Sequence, residues 1–353
     1  MLSKDMYTEE YIMALHKQTG NDPALLERVI YAFGLLEAIK SVGLPFCFKG
    51  GTSLMLILDH PMRLSTDIDI IVKPGIDIEN YIKKAGEIFP FTAVEERVRI
   101  GKNNIEKRHF HFKYRSPKTG RDLSILLDVL FENIQYSSTM ERPIKNELLL
   151  TNGDDLSVIV PNVNGVLGDK LTAFAPHTTG IPFGEEKELE IIKQLFDCGT
   201  LFDAMDNFEE VCATYKKIVK TEADYRGISI TYEDVLKDTI KASLCIASRG
   251  QLYTEEYTYY KDGIFRIRNH ALGGKFSGNI AVIYASKVLY LVSSMLVGST
   301  SLTKITDATD YLNKNIELQK PKRFSYLRIV DPIAYGYIIE ASKLLQGTEF
   351  EKL

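Results

Sequence analysis

The sequence predicts an α+β chain in two parts: an α/β front domain over residues 1–160 and a mostly helical C-terminal domain over 161–353. Three observations carry this. Apolar runs of strand length alternate with helical stripes up to Pro161. Beyond it the spacing is helical almost throughout. At 353 residues the chain is also long for one core, which favours two domains.

Taken in order, residues 5–41 show helical spacing, with Leu25, Leu26, Val29, Ile30, Phe33 and Leu36 on one stripe and Asn21-Asp22-Pro23 as a helix start. Gly43-Leu44-Pro45 ends that pattern and hands over to a short strand, Phe46 to Phe48. A helix follows from about Ser53 to Leu58, then a strand from Asp67 to Val72. Further strands are expected at Phe91 to Ile100, Lys107 to Tyr114, Ser124 to Phe131 and Leu156 to Val160. Helices are expected at 165–175, 186–218, 231–248, 278–297 and from Asp331 to Leu345. The apolar stretch near 279–297 is interrupted by Ser286, Lys287, Ser293 and Ser294, so it reads as a buried helix and not a membrane span.

Composition narrows the classes. Hydrophobic residues make 45% and charged residues 25% of the chain, as in ordinary globular proteins. The net charge of −4 argues against coating nucleic acid by bulk electrostatics. Cys47, Cys198, Cys212 and Cys245 are scattered, with no C-x-x-C pair, so neither a zinc site nor a disulfide framework is indicated. His60, His109 and His111 are not spaced like zinc ligands and are expected to be structural or exposed. No N-terminal stretch joins a basic start to an apolar core, so a soluble cytoplasmic protein is expected, with no membrane partner.

The chemistry sits between Phe48 and Val72. A strand runs into Gly50-Gly51, and Thr52-Ser53 open a helix. Glycines admit a ligand close to the backbone, and the helix start offers unpaired N–H groups and the positive dipole end. Asp67 and Asp69 follow on a strand, where side chains two apart share a face while Ile68 points into the core. Two like charges that close need neutralising, and a hard divalent cation with oxygen ligands is the usual solution. Asp128, among Leu126, Leu127, Val129 and Leu130, supplies a third carboxylate that is costly to bury unpaired. Three carboxylates on adjacent strands suit two-metal phosphoryl transfer.

With these residues in view, the chain resembles the AbiEii/AbiGii toxin nucleotidyltransferases of the polymerase-beta-like superfamily. The matching elements are KGGTSL (Lys49 to Leu54), R-x-S-x-D-x-D (Arg63 to Asp69), the apolar strand bearing Asp128, LGDKLTAF with Lys170, and Phe196-Asp197. The resemblance spans roughly 25–205 and implies a mixed-sheet nucleotidyltransferase domain. It implies that Gly50, Gly51, Thr52 and Ser53 cradle nucleotide phosphates, with Arg63 and Ser65 beside them. Asp67, Asp69 and Asp128 would bind Mg²⁺ or Mn²⁺, with Asp128 also a possible base for the acceptor hydroxyl. Lys170 would contact the triphosphate of an NTP co-substrate, and Asp197 would close the site or orient Lys170. One departure stands out: the family's K-D-x-x-D-L run is here Lys193-Gln194-Leu195-Phe196-Asp197-Cys198. Without the resemblance, Lys170 reads as a solvated lysine, and Arg63 and Ser65 as staples of their loop.

From Arg97 to Arg121 nine basic residues (Arg97, Arg99, Lys102, Lys107, Arg108, Lys113, Arg115, Lys118 and Arg121) face one acid, Glu106. Phe110, Phe112 and Tyr114 alternate through the stretch. Lys107, Arg108, Lys113 and Arg115 are therefore candidate RNA contacts, with a solvated hairpin as the alternative. A second basic cluster comprises Lys320, Lys322, Arg323 and Arg328. The resemblance implies nucleotide transfer to RNA, tRNA foremost, by the toxin of a toxin–antitoxin or phage-defence pair with a cognate antitoxin. A small-molecule (aminoglycoside-like) or protein acceptor, or a non-catalytic nucleotide-binding protein, are the alternatives.

Overall fold

The computed structural model describes residues 1–97, 107–184, 186–274, 276–318 and 320–352. Packing divides the chain into two compact units: Met1–Asn162 with Asn269–Lys275, and Val163–Arg268 with Phe276–Leu353.

The first unit opens on α1 (Glu9–Thr19) and α2 (Pro23–Ser41). The helical spacing over 5–41 is thus two helices. Gly20 closes α1 at φ 74°, and Asp22 starts α2 by accepting the Ala24 N–H, with Pro23 in the first turn. Then come β1 (Cys47–Lys49), α3 (Gly50–Ile57), β2 (Ile68–Val72), α4 (Glu79–Gly86), β3 (Phe91–Arg97), β4 (Lys107–Arg115), β5 (Asp122–Phe131), β6 (Thr139–Pro143) and β7 (Ser157–Pro161). Residues 98–100, expected to extend β3, lie outside the described residues. So do Arg99, Lys102 and Glu106 of the basic stretch. The helices α4 and β-strand β6 were not foreseen. Strand β6 is an edge strand with no buried residue, which leaves little apolar pattern to read, and α4 is only two turns long.

The seven strands form one mixed sheet in the order β3-β4-β5-β2-β1-β7-β6. The β2–β5 and β1–β7 pairs are parallel, and the others antiparallel. One face is apolar. Phe48, Ile68, Ile70, Phe110, Phe112, Tyr114, Leu127 and Val129 are buried there, and Tyr31 of α2 stacks on Tyr114 with ring centroids 3.7 Å apart. Period-two alternation sends their neighbours to the other face, where Asp69, Asp128 and His109 are only partly buried.

The second unit is helical: α5 (Val163–Ala173), α6 (Glu188–Ala204), α7 (Phe208–Arg226), α8 (Tyr232–Ala247), α9 (Thr254–Arg266), α10 (Gly278–Leu296), α11 (Leu327–Val330) and α12 (Pro332–Leu344). The single helix expected over 186–218 breaks at Met205, which is extended. Asn207 then caps α7, and the Asn164 carboxamide receives the Asp206 and Asn207 N–H groups. The polar, tyrosine-rich α9 was not expected. Among the described residues one helix, α10, is long and apolar enough to cross a membrane; it packs instead on α6, α8 and α12, with most of its length buried.

Candidate functional site

Strand β1 turns straight into α3, three residues earlier than the spacing implied. Gly50 makes this turn at φ +80°, a region that side chains with Cβ avoid. It also sits against Asp69: a Cβ on Gly50 would lie 2.0 Å from Asp69 Oδ2. A Cβ on Gly51 would lie 2.7 Å from Arg63 Nη2 and 2.9 Å from Ser65 Oγ. The two glycines thus bring the helix start, Asp69 and the R-x-S segment together. Lys49, at the N-cap position of α3, makes no side-chain capping hydrogen bond.

Thr52 and Ser53 are fully buried, and their hydroxyls point inward. Thr52 Oγ1 donates to the Asp67 carbonyl at 2.6 Å and Ser53 Oγ to the Gly50 carbonyl at 2.8 Å. Their hydrogens, expected on a phosphate, are spent shaping the turn. What the turn presents is backbone N–H. Arg63 is buried, and its Nη1 donates to the Leu64 carbonyl. Around it, residues 62–64 pair with 270–272: Leu64 N–H donates to the His270 carbonyl and Leu272 N–H to that of Met62. The Arg63 guanidinium thus lies between its own loop and Gly51. No local pattern in 269–274 announced this return of the chain.

Sheet register builds the rest. Lys49 lies opposite Asp69, Asp69 beside Asp128, Asp128 opposite His109, and His109 opposite Arg97. These five side chains form one row across β1, β2, β5, β4 and β3, with neighbours about 5 Å apart at Cβ. Asp67, one residue before β2 and exposed, has the same parity as Asp69. His109 Nδ1 meets Asp128 Oδ1 at 2.5 Å. Sequence reasoning set His109 aside. The inward alternation of Phe110, Phe112 and Tyr114 was the available signal that His109 faces the other way, but the pairing partner was not visible.

Asp69 and Asp128 in register are hard oxygen donors on neighbouring strands, and that chemistry fits a cation such as Mg²⁺. Among the described residues no group of three His, Cys, Asp or Glu side chains is placed to hold an ion; Asp69 and Asp128 lie in register, and Asp67 precedes β2 at the same parity. The row sets Lys49 at one end of the acid pair and His109 at the other. Cys47 on β1 is no alternative nucleophile, because burial pushes its thiol up to about 11.

Three residues of the basic stretch are paired with acids. Arg108 binds Glu96 and Glu79 at 2.6 Å each, Lys113 binds Glu95, and Arg115 binds Asp122 at 3.1 Å. The hydrogen bonds to Arg108 hold the Glu96 carboxyl below its usual range. These acids lie outside the Arg97–Arg121 window or on the partner strand, so counting along the chain overstated the patch. Of the four candidate RNA contacts, only Lys107 lacks such an acid among the described residues.

In the second unit, Lys170 Nζ on α5 lies 2.9 Å from Asp197 Oδ2 and 3.2 Å from Gln194 Oε1 on α6. Spacing of three puts both acceptors on one side of α6. The Gln194 amide is fixed by donating to the Glu190 carbonyl, which aims its oxygen at Lys170. The departure at 194 thus removes a charge but keeps an acceptor.

A family model described as "Nucleotidyl transferase AbiEii toxin, Type IV TA system" matches residues 35–266. The chain belongs to the AbiEii toxin nucleotidyltransferase family. Membership implies a nucleotidyltransferase of a toxin–antitoxin system, with a nucleoside triphosphate co-substrate, usually a divalent metal, and a cognate antitoxin. No curated protein matches the chain. Among solved structures, the chain is similar to the Helicobacter pylori protein JHP933 at 13% identity and TM-score 0.43, covering 74% of this chain and 89% of that one. It is also similar to an H. pylori protein named as a candidate nucleotidyltransferase, at 12% identity and TM-score 0.41, covering 74% and 92%.

Proposed function

We propose that this AbiEii protein transfers a nucleotide from an NTP to an acceptor hydroxyl with the help of a divalent metal, at the row of Asp69 and Asp128. One observation carries the reading: the start of α3, at the positive-φ Gly50, lies within contact of the Asp69 carboxylate. A phosphate held by the N–H groups of that turn sits beside paired acids. Asp69 and Asp128 would hold the metal, with Asp67 of the same parity as a further donor once the ion is bound; the metal would offset charge on the triphosphate and favour an ionised acceptor hydroxyl. Asp128 is the base for that hydroxyl. Gly50 and Gly51 keep the phosphates close, while Thr52, Ser53, Arg63 and Ser65 hold the turn in shape. Asp197 and Gln194 orient the Lys170 ammonium, and its role toward the triphosphate rests on the family resemblance alone.

The acceptor we propose is RNA, with tRNA foremost, on the strength of that resemblance. A small-molecule acceptor is the second reading, favoured by the pairing of Arg108, Lys113 and Arg115 with acids. Incubating the protein and Mg²⁺ with each labelled NTP and total RNA, protein or aminoglycosides separates the two. Label on RNA supports the first; label only on a drug or on protein overturns it. Asp67→Asn and Asp69→Asn are expected to fold and to lose transfer. Either variant keeping more than about a tenth of the native rate, less than about 1.4 kcal/mol of barrier, would remove the metal assignment.

A further inference from the structure

We infer that His109 is a positioning residue for the transfer reaction: its Nδ1–H fixes one oxygen of Asp128 and so leaves the other directed to the reacting groups. The inference rests on the function proposed above. An ionised carboxylate offers about four lone-pair sites on two oxygens, and a carboxylate at a strand position can rotate among them. Here Oδ1 is taken by His109 at 2.5 Å, from directly across the β4–β5 pair. The partnership is set by backbone register and not by a flexible reach. The imidazole is largely shielded, with its side chain 13% exposed against 31% for Asp128.

The neighbouring histidine on the same face is engaged elsewhere: His111 Nδ1 lies 3.1 Å from Ser124 Oγ. On β4, His109 is the residue in register with Asp128. With Nδ1 against a carboxylate oxygen, the hydrogen belongs on Nδ1. A partner of this kind matters in proportion to the precision the acid needs. Losing a group that orients a metal-binding or basic carboxylate typically costs about 10–100-fold in affinity or activity.

A plain structural role for the pair, as one cross-strand contact in a sheet, predicts something different, and three variants separate the two. His109→Ala removes ring and donor. His109→Phe keeps a ring without a donor. His109→Asn keeps an N–H donor two bonds from Cβ. We expect His109→Ala and His109→Phe to lose about 10–100-fold in kcat. KM for the NTP should stay within about threefold, because the Gly50 turn is untouched. In the same two variants, Mn²⁺ binding without nucleotide, read by titration calorimetry, should weaken by about tenfold. His109→Asn should recover most of both losses. If His109→Ala does not fold, the comparison between His109→Phe and His109→Asn decides alone.

Native kcat and Mn²⁺ affinity in His109→Phe would overturn the inference. So would equal impairment of His109→Phe and His109→Asn with equally lowered Tm. Asp69→Asn, run in parallel, tells this failure from failure of the site reading. If Asp69→Asn is inactive while His109→Phe is normal, only the inference falls. If Asp69→Asn transfers like the native chain, both fall.

Discussion

Gly50→Ala is the sharpest single perturbation of this site. Two costs add. Alanine at φ +80° carries about 1–2 kcal/mol of backbone strain. The new methyl would also lie 2.0 Å from Asp69 Oδ2 and 2.8 Å from Asp69 Cγ, where ordinary contact begins at 3.4 Å. The carboxylate must therefore retreat by more than an ångström, or the turn must move. A displacement of about 1 Å in a reacting group is enough to cost about a hundredfold in rate. The strain alone lowers Tm by about 2–8 °C, at roughly 2–4 °C per kcal/mol for a unit of this size. Gly20→Ala is the control. Gly20 is at φ 74° with nothing within 4 Å, so it imposes similar strain with no contact. Thermal melts and transfer of label from an NTP, measured on both variants, give the comparison. Gly20→Ala should melt lower and transfer normally, whereas Gly50→Ala should do both worse. If Gly50→Ala transfers within threefold of the native rate, Asp69 is not where the chemistry happens.

Two further outcomes test the second unit. Asp197→Ala should cost about 3–5 kcal/mol, because it strands the largely buried Lys170 ammonium, while the double variant Lys170→Met with Asp197→Leu should recover much of that loss in chemical denaturation. Equal loss in both would show that packing and not the charge pair is at stake. Asp238 is buried with its Oδ2 held by the His177 N–H and Thr178 Oγ1, and burial raises its carboxyl above the ordinary Asp range. A raised acid binds more protons folded than unfolded, so this group's contribution should decline as pH rises from the unfolded value toward the folded one. Asp238→Asn should flatten that slope in urea midpoints taken from pH 4 upward, and an unchanged slope would assign it to other groups.

The parts of the fold legible in the chain were those with a local cause. Asp22-Pro23 marked the start of α2, and the alternation through Phe110, Phe112 and Tyr114 marked β4. The strand–glycine–helix turn marked the site. The unread parts had non-local causes or weak ones. The break at Met205 depends on Asn164, some forty residues away in sequence, whose carboxamide holds the turn. Residues 269–274 join the first unit through backbone bonds to Met62 and Leu64, which no side-chain pattern encodes. The ion pairs of Arg108 and Lys113 cross from β4 to β3 or reach α4.

The same distinction explains why the candidate site was half visible. Parity along one strand is a local rule, so Asp67 and Asp69 could be assigned a common face from their spacing. Whether Asp128 joins them depends on two unknowns: that β5 and not another strand borders β2, and that their register aligns 69 with 128 rather than one position off. A slip of one residue would have put Asp128 on the apolar face with Leu127 outward. The buried set on the opposite face forbids that slip, since Ile125, Leu127 and Val129 are all at most 1% exposed. The apolar residues of β5 therefore decide where Asp128 points. The same register then hands Asp128 a histidine on one side and Asp69 on the other. A charge that looked anomalous in an apolar strand becomes the middle of an ordered row, and its neighbours are specified by residues that take no part in the chemistry.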